Sequence, residues 1–169
     1  MNQRSRARVR RRLRSLALLE LINIPLQAVI WFGELGFPVT VANAAGFALF
    51  SLLLLEGSAY WGAKLRQMEI PRAPLPGARA FAAARVLNVP VLFAGVAFTV
   101  WAVAGDPGRG TIPGLGFALF AVLEHVNYFH TQLMYDNRAD RRRLRQHGLC
   151  RSHLSRDLAL AGARGGASA

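Results

Sequence analysis

The sequence has little charge and almost no cysteine. Of its 169 residues only 18% are charged, and Cys150 is the one cysteine. A single thiol excludes a disulfide scaffold, and a soluble domain usually carries about 25% charged residues. The hydrophobic share of 53% excludes a disordered or collagen-like chain. A mean hydropathy of +0.25 favours a membrane protein, and the length suits one domain.

Acidic residues are scarce, since 9 Asp and Glu oppose 21 Lys and Arg. Four apolar stretches, 15–34, 39–61, 80–104 and 114–135, are long enough to span a bilayer as helices. Nineteen basic residues lie in the N-terminal segment, the loop after the second stretch and the tail, whereas the other two loops hold only Arg109. This positive-inside bias predicts a multi-pass protein of a bacterial-type plasma (inner) membrane with both termini in the cytoplasm.

The spans define the predicted organisation of the chain. The tail has a thin leucine stripe among its arginines, which favours a helix on anionic lipid over nucleic-acid binding. The predicted segments are a basic cytoplasmic N-terminus (1–14), a first hairpin (15–61), a proline-rich cytoplasmic loop (62–79), a second hairpin (80–136), a basic amphipathic tail (137–160) and a disordered end (161–169).

An internal repeat links the two hairpins. The matched elements, in order, are Asn23-x-Pro25 with Asn88-x-Pro90, Gly46–Phe50 with Gly116–Phe120, and Leu55-Glu56-x3-Tyr60 with Leu123-Glu124-x3-Tyr128. Apolar helices also align by chance, but the order and near-constant offset favour duplication. The predicted fold is an all-α integral membrane protein. It is a four-transmembrane-helix bundle of two tandem parallel hairpins about a pseudo-twofold axis, followed by a basic tail helix.

Polar side chains at membrane depth form the candidate site, because such groups are rare there and often functional. Acid–base roles are assigned to Glu124, His130 and Glu56. Proposed substrate contacts come from the remaining polar residues of the spans: Asn127, Tyr128, Tyr60, Asn88, Asn23, Arg85, Glu20, Thr131 and Tyr135. Most lie toward the basic ends of the spans, which predicts one polar cavity facing the cytoplasm.

The charges of this layer are unequal. Symmetry places Arg85 opposite Glu20, so an ion pair is expected there, with a structural role as the alternative to a functional one. Glu56 and Glu124 are then left without a cation, which suits them to proton transfer. The second hairpin carries more polar residues and is expected to be the chemical half. Asn23 and Asn88 have an alternative role in repairing their proline-kinked helices.

Several motifs are missing. A di-metal carboxylate bundle needs Glu-x-x-His, and the chain has Glu-x-x-Asn at Glu20 and Glu124, so neither metal nor cofactor is predicted. The favoured function is an acid–base enzyme of isomerase or cyclase type, or a binder, for an amphiphilic lipid, isoprenoid or quinone-like molecule. The alternatives are a non-catalytic assembly or regulatory subunit and a small proton-coupled transporter. Expected partners are membrane lipids and a second copy or another membrane protein.

Overall fold

The computed structural model describes residues 3–70, 74–133, 142, 146 and 148–166. The described residues form five helices and no strand beyond one isolated bridge. Their bounds are Gln3–Ala28 (α1), Val41–Gln67 (α2), Ala78–Gly105 (α3), Ile112–Phe129 (α4) and His153–Gly166 (α5), and α1 continues as a π-helical segment over Val29–Glu34.

The first four helices are long and apolar enough to cross a membrane, as expected for a multi-pass membrane protein. The shortest, α4, has 18 residues, which extend about 27 Å at 1.5 Å per residue. Pro25 and Pro90 lie inside α1 and α3. The predicted all-helical membrane bundle is therefore confirmed at the level of class and span number in the described chain.

The fourth span ends six residues earlier than predicted, at Phe129 rather than residue 135. The chain leaves the helix because it pairs with the segment before α5. Thr131 and Arg151 form an antiparallel bridge, and the Ser152 amide donates to the carbonyl of His130 at 3.0 Å. The tail helix continues to Gly166, past the residue-160 boundary assigned from sequence. Tyr135 lies outside the described residues.

Helix α2 is the centre of the bundle and packs against α1, α3 and α4. Its closest approach is to α4, where a Cβ atom on Gly46 would lie 1.9 Å from the carbonyl oxygen of Gly114. The Asn43 side chain, fully buried, accepts a hydrogen bond from the Gly114 amide at 2.8 Å. It also donates to the carbonyls of Pro38 and Arg109. Asn43 thus ties both interhelical loops to the bundle at the end opposite the basic one.

The basic end is closed by α5. Asp157 accepts a hydrogen bond from the Tyr60 hydroxyl at 2.8 Å and pairs with Lys64 at 3.0 Å. The Ser152 hydroxyl donates to the carbonyl of Tyr128, and Leu154 is buried. These contacts hold the tail against the ends of α2 and α4.

Candidate functional site

A large cavity lies between α1 and α4, over α2, in the half of the bundle away from the basic end. Its volume is about 650 Å³. The two helices flanking it touch at a Trp31–Phe117 ring contact of 5.2 Å and at a Tyr128–Glu20 hydrogen bond of 2.7 Å. We call this space the outer cavity; its lining residues are Asn23, Gln27, Trp31, Phe37, Phe50, Gly108, Arg109, Ile112, Pro113, Gly116, Phe117 and Phe120.

A line of polar side chains follows the α1 wall of the outer cavity. The Trp31 indole donates to Gln27 at 2.9 Å, and the Gln27 amide donates to Asn23 at 3.2 Å. Each step is four residues, so the bonded side chains share one helix face. In the structure these three side chains bond to one another along α1 rather than across to α4.

Arg109 is the one cation among the residues that line the outer cavity. Its guanidinium donates to the carbonyl of Leu35 at 2.6 Å and lies 5.0 Å from the ring centroid of Phe37. It belongs to the α3–α4 loop and is exposed. A positive charge therefore stands at the loop end of an otherwise aromatic and aliphatic cavity.

A cluster of acids and hydroxyls closes the opposite end of this cavity. The Tyr128 hydroxyl donates to Glu20 at 2.7 Å, and Glu124 lies one turn before Tyr128 on α4. The Asn127 amide donates to Glu124 at 3.3 Å. Glu124 and Tyr128 are buried and Glu20 is half-buried. We call Glu20, Tyr128 and Glu124 the acid cluster; it consists of a hydrogen-bonded Glu20–Tyr128 pair and a second carboxyl one helical turn away on α4.

A second, smaller cavity adjoins the acid cluster from the basic end. Its volume is about 100 Å³. We call it the inner cavity; its lining residues are Arg12, Leu16, Glu20, Tyr60, Trp61, Asn127, Tyr128, Gln132, Ser152, His153 and Leu154. The single polar cavity predicted from sequence is thus replaced by two cavities, of which the larger faces away from the basic end.

The remaining acid, Glu56, lies in a different interface. It is half-buried between α2 and α3, where the Asn88 amide donates to it at 2.7 Å. Asn88 is 5% exposed. The bond joins two helices, so Asn88 serves interhelical packing and not the local repair of the kink at Pro90. Glu56 does not line either cavity described here.

The predicted Glu20–Arg85 pair does not form. Glu20 bonds Tyr128 instead, and Arg85 is exposed on α3. The reason is the packing order, since α1 lies along α2 and makes no comparable contact with α3 among the described residues. The Tyr60 hydroxyl bonds Asp157, so it anchors α5 while its ring lines the inner cavity.

The two histidines near the end of α4 lie in different environments, and the buried one is not the one assigned an acid–base role. His130 is exposed at the end of the helix, and its ring centroid lies 5.5 Å from that of His125. His125 is 5% exposed, packs on Phe129 at 4.9 Å and has no hydrogen-bond partner on either ring nitrogen among the described residues. Thr131 leaves the polar face of α4 with the bridge to Arg151.

Sequence reasoning missed the aromatic lining of the outer cavity. Phe50, Phe117 and Phe120 look like ordinary span residues, and Arg109 looks like a lone loop charge. One available signal was the sequence Gly-Phe-Ala-Leu-Phe, which occurs at Gly46–Phe50 and Gly116–Phe120 and places two phenylalanines on each of α2 and α4. Among the described residues no group of three or more His, Cys, Asp or Glu side chains could hold a metal ion.

No protein-family model, curated protein or solved structure matches the chain. The function is therefore inferred from the geometry of the two cavities and the acid cluster.

Proposed function

We propose that this protein binds an amphiphilic molecule, of lipid, isoprenoid or quinone type, in the outer cavity. The observation that carries this proposal is the cavity itself, about 650 Å³ in volume between two membrane helices. Small-molecule sites typically enclose about 300–1,000 Å³, with apolar walls and a few placed polar groups. The outer cavity has that composition.

The distribution of polar groups suits an amphiphile better than a polar solute. Arg109 stands at the loop end, where an anionic or polar head group would lie at the membrane surface. Phe50, Phe117 and Phe120 form the walls below it and would contact an apolar chain. Asn23, with its bonded neighbour Gln27, is the polar feature at the deep end.

The membrane orientation and the repeat belong to the same proposal. The arginine-rich N-terminus, the α2–α3 loop and the tail would face the cytoplasm of a bacterial-type cell, because basic loops are retained on that side. The outer cavity would then open toward the opposite leaflet. Two tandem hairpins would account for Glu56 and Glu124 at matching helix positions.

An acid–base reaction on the bound molecule, of isomerase or cyclase type, would use the acid cluster. Glu124 would give or take the proton, with Asn127 and Tyr128 orienting the reacting group. Glu56 and His130 are less suited to this role than the sequence suggests, because Glu56 is bonded to Asn88 in another interface and His130 is exposed.

Filling the outer cavity tests the proposal. Gly116 lines it, and a Cβ atom there would meet no heavy atom within 4 Å. Leu is also favoured over Gly in a helix by about 1 kcal/mol, so Gly116→Leu should fold and occlude the cavity. Binding would be followed as quenching of Trp31 by a brominated lipid, in protein whose other tryptophans, Trp61 and Trp101, are replaced by Phe.

A bound amphiphile should quench Trp31 saturably at low mole fraction, and Gly116→Leu should abolish that phase. The matched control is Gly62→Leu in α2, because a Cβ atom there is equally unobstructed and Gly62 does not line the cavity. Quenching that rises linearly with bulk lipid in both variants would contradict the proposal.

A further inference from the structure

Two tyrosine–carboxylate pairs flank the inner cavity. The Tyr128 hydroxyl donates to Glu20 at 2.7 Å, and the Tyr60 hydroxyl donates to Asp157 at 2.8 Å. Both tyrosines and Glu20 line the cavity. The first pair joins α4 to α1 and the second joins α2 to α5. The two pairs share the same kind of hydrogen bond, but they differ in charge.

The Asp157 pair contains its own cation. The Lys64 ammonium lies 3.0 Å from Asp157, so this carboxylate is neutralised within the protein. Glu20 has no equivalent partner, because the ion pairs formed among the described residues do not include it. Glu20 is half-buried, and a carboxylate withdrawn from water needs a cation or several hydrogen bonds. A cation brought by a ligand would therefore complete the Glu20 pair.

One residue at the cavity wall accounts for the difference in charge. Lys64 follows Tyr60 by four residues, and Gln132 follows Tyr128 by the same number. Gln132 lines the inner cavity together with Glu20. The first tyrosine is thus followed by a cation, whereas the second is followed by a neutral amide beside an acid.

The other walls of the inner cavity suit an organic cation. Three aromatic side chains line it, namely Tyr60, Trp61 and Tyr128, and the ring centroids of Tyr60 and Trp61 lie 4.8 Å apart. Aromatic rings attract ammonium groups through their faces, and cages of such rings bind quaternary ammonium ligands. The volume of about 100 Å³ equals that of about three water molecules, at about 30 Å³ each. This space suits a small head group and excludes an acyl chain.

The mouth of the inner cavity is basic. Arg12 and His153 line the cavity and are exposed, whereas Glu20 is half-buried. Arg12 precedes Glu20 by two turns of α1, toward the basic end of the bundle. A ligand that carries an ammonium and an anionic group on a short linker would therefore meet a charge of opposite sign at each end.

From this arrangement we propose that the inner cavity binds an aminoalkyl phosphate, the chemistry of an ethanolamine or choline head group. The ammonium pairs with Glu20 among the three aromatic rings, as the Lys64 ammonium pairs with Asp157. The phosphate lies beside Arg12 at the mouth. A membrane phospholipid and a soluble phosphomonoester both present this chemistry, and the experiment separates these two sources.

Trp61 fluorescence reports the site, because Trp61 lines the inner cavity. The full chain carries Trp31→Phe and Trp101→Phe and is purified in a maltoside detergent, which has neither ammonium nor phosphate. Phosphoethanolamine should change the Trp61 emission saturably. Ethanolamine and inorganic phosphate each carry one of the two charged groups, and each should bind at least about tenfold more weakly.

Two variants test the pairing of charges. Glu20→Gln retains an oxygen that accepts from Tyr128 but removes the charge, so it should weaken binding by at least about tenfold. Gln132→Lys adds a fixed cation to the cavity wall and should abolish binding by competition. The matched control is Glu56→Gln, which should bind as the parent protein does, since Glu56 is also half-buried but lines neither cavity. Thermal unfolding in the same detergent establishes that each variant is folded.

Lysophosphatidylethanolamine in the same detergent separates the two sources of the head group. An affinity at least about tenfold above that of phosphoethanolamine would assign the site to a membrane lipid, and an equal affinity would assign it to a soluble phosphomonoester. Lysophosphatidylglycerol is the control, because it enters the micelle in the same way but has no ammonium. It should give no saturable change in Trp61 emission.

The absence of a saturable response to phosphoethanolamine would overturn the proposal, and so would a response that Glu20→Gln and Gln132→Lys leave unchanged. Inorganic phosphate that binds as tightly as phosphoethanolamine would overturn it in favour of an anion site at Arg12. Gly116→Leu fills the outer cavity and should not alter the Trp61 response. The two binding proposals therefore fail separately, since each is followed through a different tryptophan.

Discussion

Across the α2–α3 interface, the Asn88 amide donates to Glu56 at 2.7 Å, and the Leu49 side chain lies against Gly95. Across the α1–α4 interface, Asn23 and Glu124 bond to neighbours on their own helices, and Glu20 bonds Tyr128 at one end. Beyond that bond the two helices are separated by the outer cavity, which Asn23 lines. The α2–α3 interface is thus closed and the α1–α4 interface is open, although both contain similar polar residues. Local packing therefore decides whether such residues hold two helices together or line a cavity.

The closed interface depends on a small residue. A Cβ atom on Gly95 would lie 2.3 Å from a terminal carbon of Leu49, so any larger side chain would displace Leu49.

The largest loss of stability is expected at the α2–α4 contact, because α2 belongs to one of the two interfaces and α4 to the other. In Gly46→Val, the new Cβ would lie 1.9 Å from a backbone carbonyl that cannot rotate away. We expect a loss of about 3 kcal/mol or more in the free energy of unfolding, at the upper end of overpacking costs. Thermal unfolding in detergent measures it, with Gly62→Val as the unobstructed control. Equal midpoints for the two variants would show that α2 and α4 are not in backbone contact.

The next prediction compares the two asparagines directly. Asn88→Ala removes the partner of a half-buried carboxyl and should cost about 1–3 kcal/mol in unfolding free energy. Asn23→Ala removes the same atoms, but Asn23 lines a cavity where water can replace the lost bond, so the cost should stay under about 1 kcal/mol. Denaturant unfolding of both variants tests this. A larger loss for Asn23→Ala would mean that the α1–α4 interface is closed.

Hydropathy and charge bias predict the four spans well, because each span is a long apolar run between loops with glycine, proline or charge. Helix periodicity also predicts the face of α1 that carries Glu20, Asn23 and Gln27, since spacing alone determines a face. Periodicity does not predict which neighbouring helix a face contacts. The expected Glu20–Arg85 pair is wrong because symmetry between helices does not determine which of them touch.

The end of α4 shows another limit of prediction. The predicted span continues past Phe129 to residue 135, but the backbone of Thr131 pairs with Arg151, which is distant in sequence. His125 is buried against Phe129, although nothing in the spacing of the fourth span predicts this contact. Such features arise from tertiary contacts, and the periodicity of a single helix carries no information about those contacts.

The smallest effect on stability is expected at the open end of the outer cavity. Arg109→Gln retains a donor for the Leu35 carbonyl but removes the charge beside Phe37. Because Arg109 is exposed, the unfolding free energy should change by less than about 0.5 kcal/mol.

Binding of an anionic brominated lipid to Arg109→Gln, followed through Trp31 quenching, should weaken several-fold, while binding of a zwitterionic brominated lipid should stay the same. High salt should weaken anionic binding to wild type and barely affect the variant, since exposed charges are screened. Equal losses for both lipids would assign Arg109 to holding the two loops together rather than to selecting a head group.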